Sequence, residues 1–347
     1  MTQVSTRIEL KKTPLGATEE RVSELCLGCM LMGSSIGQEE SFRVLDHFRS
    51  SGGNFMDTAN CYAWWVGAGE NVGDESEVVL GKWMRERRAR DQVFLATKEG
   101  GRLRDLSAMR DASGEIDWSL LPDNYELQNA QTIRRSMDES LRRLRTDRVD
   151  LFYAHIMDER VPLEETLEAL NSLVETGKAR YLGCSNYSTE RLRQAREICQ
   201  REGWADIVAI QQQYSYLQPN AGADFGVMRN VDTELLRYLK ENPEVQLLAY
   251  SPLLKGLYDD DQKRKAYYAW GQFESEASWE RLRRIRTRAA EMGVLPSQLV
   301  YAWLMSQRPK VIPLLGFSRF DQYLSNLQSV AIELGEEMLG RLERAAE

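Results

Sequence analysis

Short apolar runs alternate with amphipathic ones eight times along this 347-residue chain, and no break in composition separates the repeats. The strand-like runs are LCLG (25–28), NFMDTA (54–59), VFLAT (93–97), VDLFYAH (149–155), ARYLGCSN (179–186), IVAIQQQY (207–214), VQLLAYS (245–251) and VIPLLG (311–316). Between them lie helix-like segments at 38–51, 74–88, 129–144, 162–177, 188–200, 232–241, 279–292, 297–306 and 319–328. In 129–144, Ile133, Met137, Leu141 and Leu144 form one stripe, the pattern of a helix with a single buried face. Pro162 opens and Gly177 closes another such segment, the asymmetry expected of helix ends. Strands that are almost continuously apolar imply a parallel sheet covered by helices. Eight β/α units imply closure, so the expected fold is a single α/β domain over 1–347, a (β/α)8 TIM barrel. Residues 7–23 are expected to form a hairpin capping the barrel floor, and 336–346 a helix outside it. The long connections 102–128 and 252–278 are expected to be structureless lids over the mouth. Tyr258, Tyr267, Tyr268, Trp270 and Phe273 in the second are expected to pack over a ligand.

A closed parallel barrel points all of its strand ends into one mouth. Asp57, Tyr62, Lys98 and His155 each sit at or just past such an end, so an acid, a phenol, an amine and an imidazole should meet there. That combination suits proton transfer. The Lys98 ammonium is expected to lower the pKa of Tyr62 by Coulomb attraction, with Asp57 holding Lys98 charged. A neutral His155 would donate a hydrogen bond to a carbonyl oxygen and orient it. Together these groups would protonate an oxygen that gains charge as hydride arrives, and hydride requires a nicotinamide because no side chain supplies it.

The remaining features narrow the field. A net charge of −8 argues against nucleic acid or an anionic membrane as main partner. The basic runs RERRAR (85–90) and RLRRIRTR (281–288) are expected to be solvated helix faces, the second because Leu282 and Ile285 fall at helical spacing. No apolar stretch approaches the roughly 20 residues of a membrane span, and the start lacks the apolar core of a signal peptide; a cytoplasmic location is expected. Five scattered cysteines, including CLGC at 26–29, and only two histidines, His47 and His155, do not make a zinc site. Buried, reduced thiols and no metal are expected. The glycine-rich VGAGENVG (66–73) does not directly follow a strand, so it is not read as a dinucleotide-binding loop.

Seven motifs in order, GNFMDTANCY, FLATKEGG, VDLFYAH, LGCSN, AIQQQYS, LLAYSPL and IPLLGFSR, resemble the aldo-keto reductases from about Leu25 to Asn326. The resemblance implies a barrel that binds NADPH without a Rossmann motif and reduces an aldehyde or ketone to an alcohol. It places Asp57, Tyr62, Lys98 and His155 on the family's catalytic tetrad, with Tyr62 the proton donor. Met30, Asp57, Ser185, Asn186 and Gln211 fall among the cofactor contacts, the last three at the nicotinamide carboxamide. Tyr250 falls where a ring stacks on the nicotinamide. Ser251, Leu253 and Lys255 fall along the pyrophosphate. Gly316, Ser318, Arg319, Gln322 and Asn326 fall at the adenosine end, with Arg319 the cation for a 2′-phosphate.

Two departures from the family pattern stand out. Many members carry Lys or Arg at the positions of Gly316 and Gln322 and an acidic residue at Ser325, whereas this chain has Arg319 alone in that stretch; NADPH is therefore expected, with NADH as the alternative. Ala63, Trp64 and Trp65 replace the commoner run after the proton donor, and the two tryptophans would suit a cyclic or sugar-like carbonyl substrate. The competing expectation is a cofactor-binding regulatory protein with the same fold and little turnover. Oligomeric state is not legible.

Overall fold

Eight parallel strands close on themselves around an interior whose two ends differ in chemistry. The computed structural model describes residues 8–111 and 113–343. An antiparallel hairpin, β1 (Lys12–Pro14) and β2 (Arg21–Ser23), precedes the barrel strands. These are β3 (Cys26–Gly28), β4 (Phe55–Asp57), β5 (Phe94–Glu99), β6 (Val149–Ala154), β7 (Ala179–Ser185), β8 (Ile207–Gln213), β9 (Gln246–Tyr250) and β10 (Val311–Leu315), each paired with the next, and β10 with β3. The seam is short: Leu314 pairs with Cys26 and Leu315 with Leu27. The helices are α1 (Gln38–Ser50), α2 (Glu75–Arg87), α3 (Leu121–Asn124), α4 (Ala130–Leu144), α5 (Leu163–Glu175), α6 (Thr189–Glu202), α7 (Thr233–Glu241), α8 (Asp261–Ala266), α9 (Glu276–Met292), α10 (Pro296–Ser306), α11 (Phe320–Leu327) and α12 (Glu336–Glu343). The (β/α)8 barrel expected from the alternation is the fold found, and the expected strand and helix spans agree with these elements to within a few residues.

Local chemistry explains the boundaries. The Asn129 side chain accepts from Thr132 N and starts α4, and Arg145 in a left-handed conformation ends it. Along α4, Ile133, Met137, Leu141 and Leu144 are buried, the stripe read from the sequence. Ser188 Oγ accepts from Arg191 N at 3.1 Å and starts α6, which ends at Gly203 with φ of +69°. Both arrangements satisfy backbone groups that a helix end leaves unpaired.

Strand side chains alternate between barrel interior and helix layer. Phe55, Phe94, Ala96, Leu151, Tyr153, Ala209, Leu248, Ile312 and Leu314 share an inner cluster with Leu15 and Val22 of the hairpin. Met56, Leu95, Phe152, Ile210 and Leu247 belong instead to the large outer core against the helices. The hairpin therefore plugs the floor, as expected, although Arg7 of the expected 7–23 span lies outside the described residues. Its turn needs Gly16: φ is +53°, and a Cβ there would lie 2.1 Å from the Glu244 carbonyl oxygen. The C-terminal helix is described through Glu343; 344–346 of its expected span lie outside the described residues.

The two long connections are not structureless. In 102–128, Leu103 bridges Tyr125, Arg110 bridges Ile116, and α3 follows a short 3₁₀ turn at Trp118–Leu120. In 252–278 lie α8 and the first turn of α9. Of the five aromatics expected over a ligand, Tyr258, Tyr267, Trp270 and Phe273 are buried in the outer core, and Tyr268 alone is exposed, at 70 %. Tyr258 Oη lies 2.6 Å from Ser215 Oγ and accepts from Leu217 N at 2.8 Å, so these rings hold the segment rather than cover a ligand. In the basic run 281–288, Leu282 and Ile285 are buried, Arg281 donates to Tyr216 O at 2.8 Å and Arg286 to Tyr258 O at 2.8 Å. All five cysteines are free and buried. Among the described residues no helix is long and apolar enough to cross a membrane.

Candidate active site

Strand parity brings the four singled-out residues together. Phe55 points inward on β4, so Asp57 does too; Phe94 and Ala96 point inward on β5, so Lys98 follows; Leu151 and Tyr153 do so on β6, so His155 comes next. Tyr62 enters from the segment after β4. Lys98 Nζ forms an ion pair with Asp57 Oδ1, donates to Thr58 O at 2.9 Å and donates to Tyr62 Oη at 2.8 Å. The other Asp57 oxygen accepts from Gln211 Nε2 at 2.9 Å. The imidazole of His155 meets the Tyr62 ring edge-on, with centroids 5.7 Å apart. Lys98 and Asp57 are essentially inaccessible to solvent, so this is a fully buried ion pair whose polar atoms are satisfied by neighbours, the condition for tolerating charge in a core.

The electrostatics differ from expectation at one residue. Burial, joined by the charge of Asp57 and by Cys61, pushes the Tyr62 phenol well above its ordinary range. The expected acidification by Lys98 is therefore overturned: taking a phenolate out of water costs more than one ammonium returns, because that ammonium already serves Asp57. Tyr62 therefore holds its proton at neutral pH. Burial raises the Asp57 carboxyl against the opposing pull of Lys98. Burial and then the Lys98 charge lower His155 to about 3, so its imidazole is neutral, as expected.

Around these four lies a set of neutral polar groups. Ser185 Oγ donates to Gln211 O at 2.7 Å, Asn186 Nδ2 donates to His155 O at 2.9 Å and to Ser185 Oγ at 3.1 Å, and Tyr250 Oη donates to Asn186 Oδ1 at 2.7 Å. Met30 is exposed just past β3. Beyond β9, Ser251 and Lys255 are exposed and Leu253 is buried. After β10, Asn326 Nδ2 donates to Gly316 O at 3.0 Å, and Gln322 Oε1 accepts from Ser318 N at 2.8 Å. Arg319 pairs with Asp321 at 3.1 Å on the surface. Seven non-glycine residues have positive φ among those described; two end helices, and the other five are Ala63, Asn186, Ser251, Leu254 and Lys255. Each costs about 1–2 kcal/mol, and such strain gathers where function needs an unusual backbone.

The two tryptophans part company. Trp64 is 4 % exposed, packed between Trp65 (5.8 Å, edge-on) and Trp118 (5.5 Å, tilted) under the 102–128 segment. Its faces are spent on the protein, which corrects its expected substrate contact. Trp65 is half-buried and Trp118 is 53 % exposed. A cleft of about 230 Å³ is lined by Tyr125, Ile156, Asp158, Arg160, Asn186 and Arg229, and Tyr125 and Ile156 share a hydrophobic cluster with Trp64 and Trp65. A second cavity of about 300 Å³ lies near Lys11, Met305 and Lys310, and none of the four residues lines either cavity. Sequence reasoning missed Thr58, whose carbonyl holds Lys98, and Cys61, whose Sγ lies 3.5 Å from His155 Nδ1. For Cys61 the signal was present: it adjoins Tyr62.

Comparisons with known proteins identify the family. The family model described as Aldo/keto reductase family matches residues 24–347. Norsolorinic acid reductase B of Aspergillus parasiticus is 31 % identical over 95 % of this chain and 82 % of its own length. A Bacillus subtilis protein named as an uncharacterized oxidoreductase, YrpG, is 29 % identical over 96 % of this chain and 95 % of its own. An aldo-keto reductase of Schizosaccharomyces pombe, yakc, whose name carries NADP(+), is 26 % identical over 93 % and 87 % respectively. With the closed barrel, these matches place the chain in the aldo/keto reductase family, as an NAD(P)H-dependent oxidoreductase.

Proposed function

We propose that this reductase converts an aldehyde or ketone to an alcohol with NADPH, and that Tyr62 delivers the proton. The observation that carries the reading is Lys98 Nζ joining Asp57 on one side and Tyr62 Oη, 2.8 Å away, on the other. When bound, the dihydronicotinamide supplies hydride. Tyr62 gives its proton to the carbonyl oxygen as that oxygen gains negative charge, and the adjacent ammonium compensates the charge left on the phenolate. Asp57 and the Thr58 carbonyl keep the ammonium in place. Neutral His155 donates a hydrogen bond to the same oxygen and sets its direction.

The residues present fit the cofactor. The hydroxyl and amides of Ser185, Asn186 and Gln211 match the donors and acceptors of a carboxamide, and the half-buried Tyr250 ring beside them suits stacking. Left-handed backbone at Ser251, Leu254 and Lys255 turns the chain sharply after β9, and with Lys255 and Leu253 it suits a pyrophosphate. Met30 flanks the same mouth, and Gly316, Ser318, Gln322 and Asn326 hold the adenosine end. Arg319 takes the 2′-phosphate: its pair with Asp321 is solvent-exposed and screened, and so yields to a phosphate. The NADP(+) in the name of the fission yeast relative supports that choice. The half-buried Trp65 and the exposed Trp118 suit a bulky cyclic carbonyl compound by face contact. Nicotinamide absorbance followed with a panel of such carbonyls tests the reading: wild type turns over, and Tyr62→Phe loses about a thousandfold in kcat while still binding cofactor. Equal rates for the two would refute it.

A further inference from the structure

His155 can donate to a carbonyl oxygen only if its single proton sits on the nitrogen that faces the substrate, and something must hold it there. A carbonyl or carboxylate on the other ring nitrogen would draw the proton to that side, so the other nitrogen needs a donor instead. Among the described residues, the hydrogen-bond contact to His155 Nδ1 is Cys61 Sγ, at 3.5 Å, within range for sulfur. We infer that Cys61 is a positioning residue: its thiol donates to Nδ1 of His155 and so keeps the imidazole proton on Nε2, the tautomer that donates to substrate. The consequence for turnover rests on the reduction proposed above; the tautomer itself does not.

Three observations converge on this. Cys61 is 7 % exposed, and burial pushes its thiol up to about 12, so sulfur carries a proton to donate. The ring is neutral, so one nitrogen must accept, and an imidazole nitrogen accepts far better than a thiol sulfur. The contact is also seated by its surroundings. A Cβ on Gly101 would lie 2.8 Å from Cys61 Sγ and 3.0 Å from His155 Nδ1, so the bare backbone lets the two approach. From the other side, Glu99 O accepts from His155 N at 2.8 Å and His155 O accepts from Asn186 Nδ2. The imidazole's own backbone is thus pinned while its side chain meets the thiol.

The chain contains only His47 and His155, so long-range ¹⁵N–¹H spectra of histidine-labelled enzyme resolve both rings, and His47→Gln assigns them. His155 is expected to show an unprotonated Nδ1 and a protonated Nε2 in wild type. Cys61→Ala is expected to shift it toward a mixture of tautomers and lower kcat about tenfold, with KM nearly unchanged, the lower end of the effect of losing a partner behind a metal-bound histidine. Cys61→Ser, which keeps a donor, should restore both. A proton on Nδ1 in wild type overturns the inference, as does a Cys61→Ala spectrum identical to wild type. A displaced tautomer with full kcat overturns the positioning role. Should Cys61→Ala not fold, the wild-type and Cys61→Ser spectra decide. Failure of wild type to reduce any carbonyl would instead strike the proposed reaction and leave the tautomer result standing.

Discussion

The two ends of the barrel are built from the same strands, yet they obey opposite rules. At the floor, Phe55 and Phe94 meet edge-on with centroids 5.0 Å apart, and Leu15 and Val22 of the hairpin close over them. Two or four residues further along the same strands, Asp57 and Lys98 sit as a buried ion pair. Floor side chains gain by leaving water, at roughly 25 cal/mol per Å². Mouth side chains lose by it and are held by neighbours that satisfy them. The contrast separates two tasks: the floor holds the barrel together, and the mouth spends part of that stability on a preorganised site.

Substitutions at the two ends sharpen or break this division. The floor carries the largest expected stability effect: Phe94→Ala should cost about 3–5 kcal/mol by cavity formation, seen as a lower denaturant midpoint, with turnover per folded molecule unchanged. Lys98→Met should do the reverse. It removes the charge that supports the Tyr62 phenolate, so kcat should fall by about a hundredfold or more while cofactor binding persists. Stability should fall less than in Phe94→Ala, because burial already raises Asp57 and the orphaned carboxyl can take up a proton. A Lys98→Met enzyme that turned over like wild type, or unfolded more readily than Phe94→Ala, would end the two-task picture. Gly16→Ala probes the plug. A side chain in left-handed backbone against the Glu244 carbonyl should cost about 1–3 kcal/mol, read by thermal melting, and leave KM unchanged.

The smallest effect is in acid. His155 has a folded pKa of about 3, below its ordinary 6.5. A base whose folded pKa is lowered contributes stability that is complete above the unfolded value and is lost as pH falls from about 6.5 toward 3. His155→Gln lacks this component, so its melting temperature should drop less than that of wild type between pH 7 and 4.5. Parallel decreases would show that His155 ionises normally.

Much of this was legible in the chain because period-two and period-3.6 patterns are local. Asp57, Lys98 and His155 follow from alternation alone once the strands are placed, since each continues an inward-pointing series. The interiors of 102–128 and 252–278 were not legible. Leu103 bridging Tyr125, and Tyr258 reaching Ser215, are contacts between residues far apart in sequence, with no periodic signature. For the same reason the aromatics of the second connection were misread as a ligand cover and Trp64 as a substrate contact. The direction of the Tyr62 shift failed differently. Sequence names the charges that meet, but which of burial and attraction wins depends on how deeply they meet.

The pairing of Leu314 and Leu315 with Cys26 and Leu27 also has a temporal side. The strands that close the ring lie near opposite ends of the chain, so during synthesis the first has no neighbour on its outer flank until the last emerges from the ribosome. For that whole interval the growing sheet presents open edges, the state most prone to pairing with a stranger. The nascent chain should therefore need shelter most in the moments before its final β/α unit appears.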